Sequence, residues 1–237
     1  MGRRSFVRRS HVNAADAATV IATLRARANL GNVEGMARFG ISRVGTLGVP
    51  VKELRRLAKE AGRSHKLAAG LWRSGIHEAR VMASLVEEVE SVTPRQMDLW
   101  VRAVDSWDVC DQLCQNLFRY TSCGFEKAAK WARAEPEFVR RAGFALMAGL
   151  AHKGPTEPDE RYEAFLPLIA EAATDERNMV KKAVNWALRQ IGKRNSQLRA
   201  KAIRAAEGIR AIDSRSARWI ASDALRELRR LHSATAS

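Results

Sequence analysis

Val139-Arg140-Arg141-Ala142 and Val180-Lys181-Lys182-Ala183 stand 41 residues apart, and apolar residues follow both at matching positions. Ile76-His77-Glu78-Ala79 and Ser214-Arg215-Ser216-Ala217 fit the same column through a shared alanine. Successive copies are 34 to 63 residues apart, which leaves room for another near Trp107. Repetition on this scale, a unit of about 30–40 residues, describes a supersecondary element that buries its apolar face only against its neighbours. An alanine at the shared position lets adjacent helices approach closely.

Working outward, apolar residues recur at three- and four-residue spacing almost everywhere, and no stretch alternates as a strand does. The spacing predicts helices over 14–29, 51–61, 64–73, 77–90, 94–105, 107–119, 125–134, 136–152, 159–174, 177–193, 196–211 and 215–232. Thr93-Pro94 puts a capping hydroxyl before a first-turn proline, and Asp213-Ser214 precedes the last helix. The one long irregular stretch is 39–50, with three glycines and a proline. The fold expected is all-α: a HEAT-like repeat solenoid of antiparallel helix pairs with a concave basic surface. An irregular helical bundle is the competing architecture. Residues 1–12 read as a basic N-terminal segment and 13–237 as a single repeat domain.

The chain has 237 residues with a formal net charge of +15. Residues 1–73 are net +11, residues 74–175 net −6 and residues 176–237 net +10. Two basic arms around an acidic middle suit a polyanion, most simply nucleic acid, because each phosphate neutralised releases counterions. Solvated helix faces decorated with arginine are the plainer alternative. An apolar content of 46% with 15 Gly and six Pro argues against disorder. No run approaches the roughly 20 apolar residues of a membrane span, and the basic start lacks the apolar stretch of a secretory signal. Three cysteines in no zinc-like spacing point to a reduced, cytoplasmic setting, nucleoid-associated if the protein is bacterial. A monomer is expected.

The densest polar cluster is Asp105-Ser106-Trp107-Asp108-Val109-Cys110-Asp111. Trp107 and Asp111 are four apart and share a helix face. Acids in a protein built for a polyanion repel phosphate unless they have a task. A carboxylate that stabilises developing positive charge or orients water is one such task, and an indole face attracts a cation. For Asp105 and Asp108, compensation of a helix N-terminus is the simpler reading. A second feature is Trp186 with Arg189 in a basic helix, an aromatic plate beside a guanidinium, suited to stacking plus a phosphate contact. A core position for Trp186 is the alternative. Trp72, Trp100, Trp131 and Trp219 are expected in the core. Arg141 shares its repeat column with Lys182, so both are candidates to face phosphates. Cys110 and Cys114, one turn apart, read as packing. The five histidines form no metal-spaced group and no phosphate loop or nucleophile elbow is present, so no metal and no cofactor are expected.

Four stretches together resemble one family: Gly48-Val49-Pro50 through Lys59, Leu71-Trp72 through Arg80, Ser106-Trp107-Asp108-Val109-Cys110-Asp111, and Lys182 through Arg189. The chain from about residue 36 to 231 is similar to the AlkD-like DNA alkylation repair enzymes, DNA glycosylases built from HEAT-like repeats. The resemblance implies that Asp111 is the catalytic aspartate, with Trp107 and Trp186 as active-site indoles. It matches Arg189 to the arginine after the second tryptophan and Arg141 to a DNA-contacting arginine. It implies duplex DNA bearing N3- or N7-alkylated purines as substrate and hydrolysis of the N-glycosidic bond. Such bases are already cationic and leave readily, and this family does not need to extrude the base into a pocket. Some of its members lack glycosylase activity. A non-catalytic HEAT-repeat protein that binds distorted or damaged DNA is therefore the alternative function, and a protein-interaction scaffold a third.

Overall fold

The computed structural model describes residues 16–153 and 157–234; the basic segment 1–12 lies outside them. The described residues contain fourteen α-helices, three short 3-10 turns and no strand. The helices are α1 Ala17–Ala26, α2 Leu30–Ala37, α3 Val51–Ala61, α4 His65–Arg73, α5 His77–Val86, α6 Pro94–Arg102 and α7 Trp107–Asn116. They continue with α8 Gly124–Ala132, α9 Glu137–Lys153, α10 Asp159–Glu163, α11 Phe165–Glu171, α12 Asn178–Arg194, α13 Ser196–Arg210 and α14 Arg215–Ala234. None of them is long and apolar enough to cross a membrane.

Local chemistry accounts for many boundaries. The Thr93 hydroxyl accepts from the amide of Gln96 at 3.1 Å, and the Ser214 hydroxyl from that of Ala217 at 3.3 Å. Both satisfy first-turn amides that have no partner within the helix. Three expectations need correction. The segment 14–29 shortens to α1, and a second helix, α2, follows it. The helix expected over 77–90 stops at Val86, followed by a 3-10 turn at Val89–Ser91. The helix expected over 159–174 breaks into α10, α11 and a 3-10 turn. Pro167 lacks an amide hydrogen and its ring would meet the Glu163 carbonyl, so the chain cannot run straight through Ala164.

The sequence points to one domain over 13–237; contacts divide the described part into two compact units. One takes in the described residues up to Val33 with Gly45–Glu88, and the other Glu34–Val44 with the described residues from Val89 on. In the first unit α4 and α5 pack as a pair, with α3 and α1 against them. Its irregular loop is secured by the buried Glu78 carboxylate, which accepts from the amides of Leu47 at 2.9 Å and Gly48 at 2.6 Å. Gly48 has φ +77°, and a Cβ there would lie 2.2 Å from the Asn29 carbonyl oxygen. No side chain fits.

In the second unit α7, α9, α12 and α14 lie side by side in one row. The pairs α8 with α9 and α13 with α14 give the antiparallel repeat. Helix α9 is apolar nearly all round and runs through the middle, with Phe144 to Met147 fully buried. Ala79, Ala142, Ala183 and Ala217, the shared column of the repeat, are each 0% exposed. Close approach is real: a Cβ on Gly192 of α12 would stand 2.7 Å from Leu228 of α14. Trp72, Trp100 and Trp131 are buried as expected. Trp219 is not. It is 42% exposed on α14, on a stripe with Arg215, Arg218, Ser222 and Arg226 that faces solvent.

Candidate active site

Helix α7 starts at Trp107 after an extended Ser106. Its first turn carries Trp107 and Asp108, and the next carries Asp111 on the Trp107 side. The indole Nε1 donates to the Phe39 carbonyl at 3.0 Å, which fixes the ring plane. Phe39 belongs to the 34–44 segment of the same unit, and Gly40 beside it approaches Met179 of α12. Cys110 and Cys114, three and seven residues after Trp107, lie on the side of α7 that packs against α9 and are buried, their sulfurs 3.7 and 3.5 Å from the carbonyls of Phe138 and Ala142. Burial pushes the Cys114 thiol well up, so it stays protonated.

Asp111 meets Arg141 of α9 in a two-bond fork: Nε donates to Oδ1 at 3.1 Å and Nη2 to Oδ2 at 2.7 Å. The third arm of the guanidinium, Nη1, donates to the Met179 carbonyl in the first turn of α12 at 2.6 Å. One arginine thus ties three adjacent helices together. Its central carbon lies 6.0 Å from the Trp107 ring centroid. The Arg141 side chain is 6% exposed and that of Asp111 18%, so the carboxylate reaches the surface and its partner does not. Burial raises the Asp111 carboxyl above its ordinary value, the charge and hydrogen bonds of Arg141 pull it back in part, and Asp108 pushes it up again. Burial opposes the Arg141 charge, but Asp111 outweighs it, and the guanidinium is held more firmly protonated than usual.

Helix α12 carries the other expected residues. Met179, Lys182, Trp186 and Arg189 follow one another at three, four and three residues, a single stripe of the helix. Trp186 is half-buried and Lys182 exposed. Two expectations are corrected here. Arg141 and Lys182 share a repeat column but not an environment, because the buried Arg141 is committed to Asp111 and Met179 while Lys182 faces solvent. Arg189 turns to α14, where it donates to Glu227 at 3.0 Å and lies 3.5 Å from Asp223. Asn185 donates to Asp223 at 2.7 Å in the same network. Asp108 sits in the first turn of α7, where an acid complements the helix dipole, and Asp105 is exposed ahead of it.

Sequence reasoning missed the carbonyls of Phe39 and Met179. Backbone acceptors leave no mark on side-chain spacing. A cavity of about 720 Å³ lined by His152, Asp159, Lys193 and Asn195 lies at the far ends of α9 and α12, remote from Asp111.

The chain matches a family model described as DNA alkylation repair enzyme over residues 20–228. No curated protein matches. One solved structure is described as belonging to a new family of proteins related to the HEAT-like repeat DNA glycosylases with affinity for branched DNA structures. This chain is 18% identical to it at a TM-score of 0.74, with 81% of this chain and 83% of that one covered. The likeness shows the fold, an all-α array of HEAT-like repeats. A designed armadillo repeat protein in complex with a (KR)4 peptide is 16% identical, covers 91% of this chain and 95% of its own, and has a TM-score of 0.41.

Proposed function

Since the chain belongs to the DNA alkylation repair enzyme family, we propose that it is a monofunctional DNA glycosylase acting on duplex DNA with N3- or N7-alkylated purines. The observation that carries the reading is the forked Asp111–Arg141 pair, one helical turn from an indole whose orientation is fixed. An alkylated purine is cationic. As its bond to C1′ breaks, the electron pair leaves with the base and the positive charge moves to the deoxyribose. The surface-reaching Asp111 carboxylate stabilises that charge and accepts a hydrogen bond from the attacking water. Each carboxylate oxygen gives one lone pair to Arg141 and keeps another for this task. Water adds to C1′ and its proton passes to Asp111 or to solvent. Trp107 and Trp186 offer aromatic faces to the sugar and its neighbours. Lys182 takes a phosphate. Arg141 acts as a positioning residue, since each of its three nitrogens already donates within the protein and its side chain is 6% exposed.

Two observations favour the alternative, a non-catalytic protein for distorted DNA. Arg141 offsets the Asp111 charge, and the neighbour of similar fold is described by its affinity for branched DNA. Incubation of the purified chain with methylated duplex in enzyme excess separates the two. Release of N7-methylguanine or N3-methyladenine supports the glycosylase, and tight binding without release supports the alternative.

A further inference from the structure

Trp219 is the one tryptophan for which the core expectation fails, and its surroundings are cationic. The Nζ of Lys181, on α12, lies 5.4 Å from the Trp219 ring centroid. Arg215 and Arg218 are exposed on the same stripe of α14. The acids nearby are engaged: Asp213 pairs with Arg218 at 2.8 Å. Glu176 accepts from the Ser216 amide at 3.0 Å, and Asp175 pairs with Arg177 and Arg140. An ammonium on one side of an indole leaves the rest of the π-surface available to a planar partner, and a basic surround favours one that carries phosphate.

The place in the fold matters as much. Arg141 links Asp111 to the first turn of α12, and Lys181, two residues beyond Met179, links α12 to Trp219. A line of contacts therefore runs along the row of α7, α9, α12 and α14. Packed helix axes lie about 8–10 Å apart, so the step from α9 to α14 is about 16–20 Å, within one turn of duplex.

We propose that Trp219, backed by Lys181, is a stacking platform for a nucleobase that has lost its own stacking partner, at a flap, gap or strand end. It rests on the DNA-binding part of the reading above and is independent of catalysis at Asp111. Only an unstacked base presents a free face to an indole, so the platform discriminates DNA structure rather than sequence.

The test is fluorescence anisotropy with two labelled DNAs, an intact duplex and the same duplex with a short single-stranded flap, over a range of salt. Trp219→Ala is expected to weaken flap binding about 5- to 100-fold and duplex binding far less, with the salt slope unchanged. Trp219→Phe keeps a π-face and retains most of the preference. Lys181→Gln lowers the slope by about one. Should the alanine variant fail to fold, Trp219→Leu, which keeps apolar bulk without a π-face, gives the same reading. Equal effects of the Trp219 variants on both DNAs, or none, overturn the platform while leaving the DNA reading intact. A wild-type chain that binds neither DNA removes the reading on which the platform rests.

Discussion

Arg141 and Asp111 join α9 to α7 through two parallel N–H···O bonds, and the arginine's remaining arm reaches α12. Removing one member leaves a buried charge unpaired. Arg141→Gln is expected to cost about 3–5 kcal/mol of stability, as broken buried pairs do, and urea denaturation with a structural probe in the second unit measures it. Arg141→Lys keeps the charge but not the fork, so base release should fall even where the variant folds.

The pH dependence follows from the raised Asp111 carboxyl. It must be ionised to stabilise a cationic sugar, so activity falls as pH drops through a value above the ordinary 3.8. Because the folded form binds this proton more tightly than the unfolded chain, ionising Asp111 costs stability, and that cost shrinks as pH falls through the folded value and is gone below the ordinary one. Asp108→Asn should move the acid limb of the rate profile down, since Asp108 pushes the carboxyl up. Single-turnover rates across the acidic range test the two statements on activity, and urea denaturation over the same range tests the one on stability.

Trp107→Phe keeps an aromatic ring and loses the bond to the Phe39 carbonyl. An intramolecular hydrogen bond contributes about 1 kcal/mol at most when it is exposed as this one is, and a ring free to turn no longer presents its face to the sugar. Base release should fall about tenfold or more while thermal unfolding shifts only slightly.

Lys182 and Arg189 share a stripe of α12 but not a role. Lys182→Gln should reduce the salt slope of DNA binding by about one, the signature of one lost phosphate contact. Arg189→Gln should leave the slope unchanged and instead loosen α12 from α14, because its charge is engaged with Glu227 and Asp223. Binding titrations at several salt concentrations distinguish the two.

Much of the array is legible from periodicity, because burying alanines at one column and apolar residues around it demands the helix repeat at every copy. The break at Ala164 and the stop at Val86 turn on one proline and on a local loop geometry, which periodicity does not register. The pairing of Trp107 with Asp111 is legible because both lie on one helix. The partners of Arg141 and Arg189 are not, since they sit about 30 to 40 residues away on other helices and only tertiary packing chooses among many acids. Trp219 escapes the rule that tryptophans are buried because its neighbours on α14 form a solvent stripe of arginines.

The most direct measurement is single-turnover release of N7-methylguanine from methylated duplex by wild type and Asp111→Asn, with DNA affinity and unfolding followed in parallel. The account predicts release by the wild type, a loss of about a hundredfold or more in the variant, and near-equal DNA binding by both. Release by the variant at the wild-type rate would contradict it.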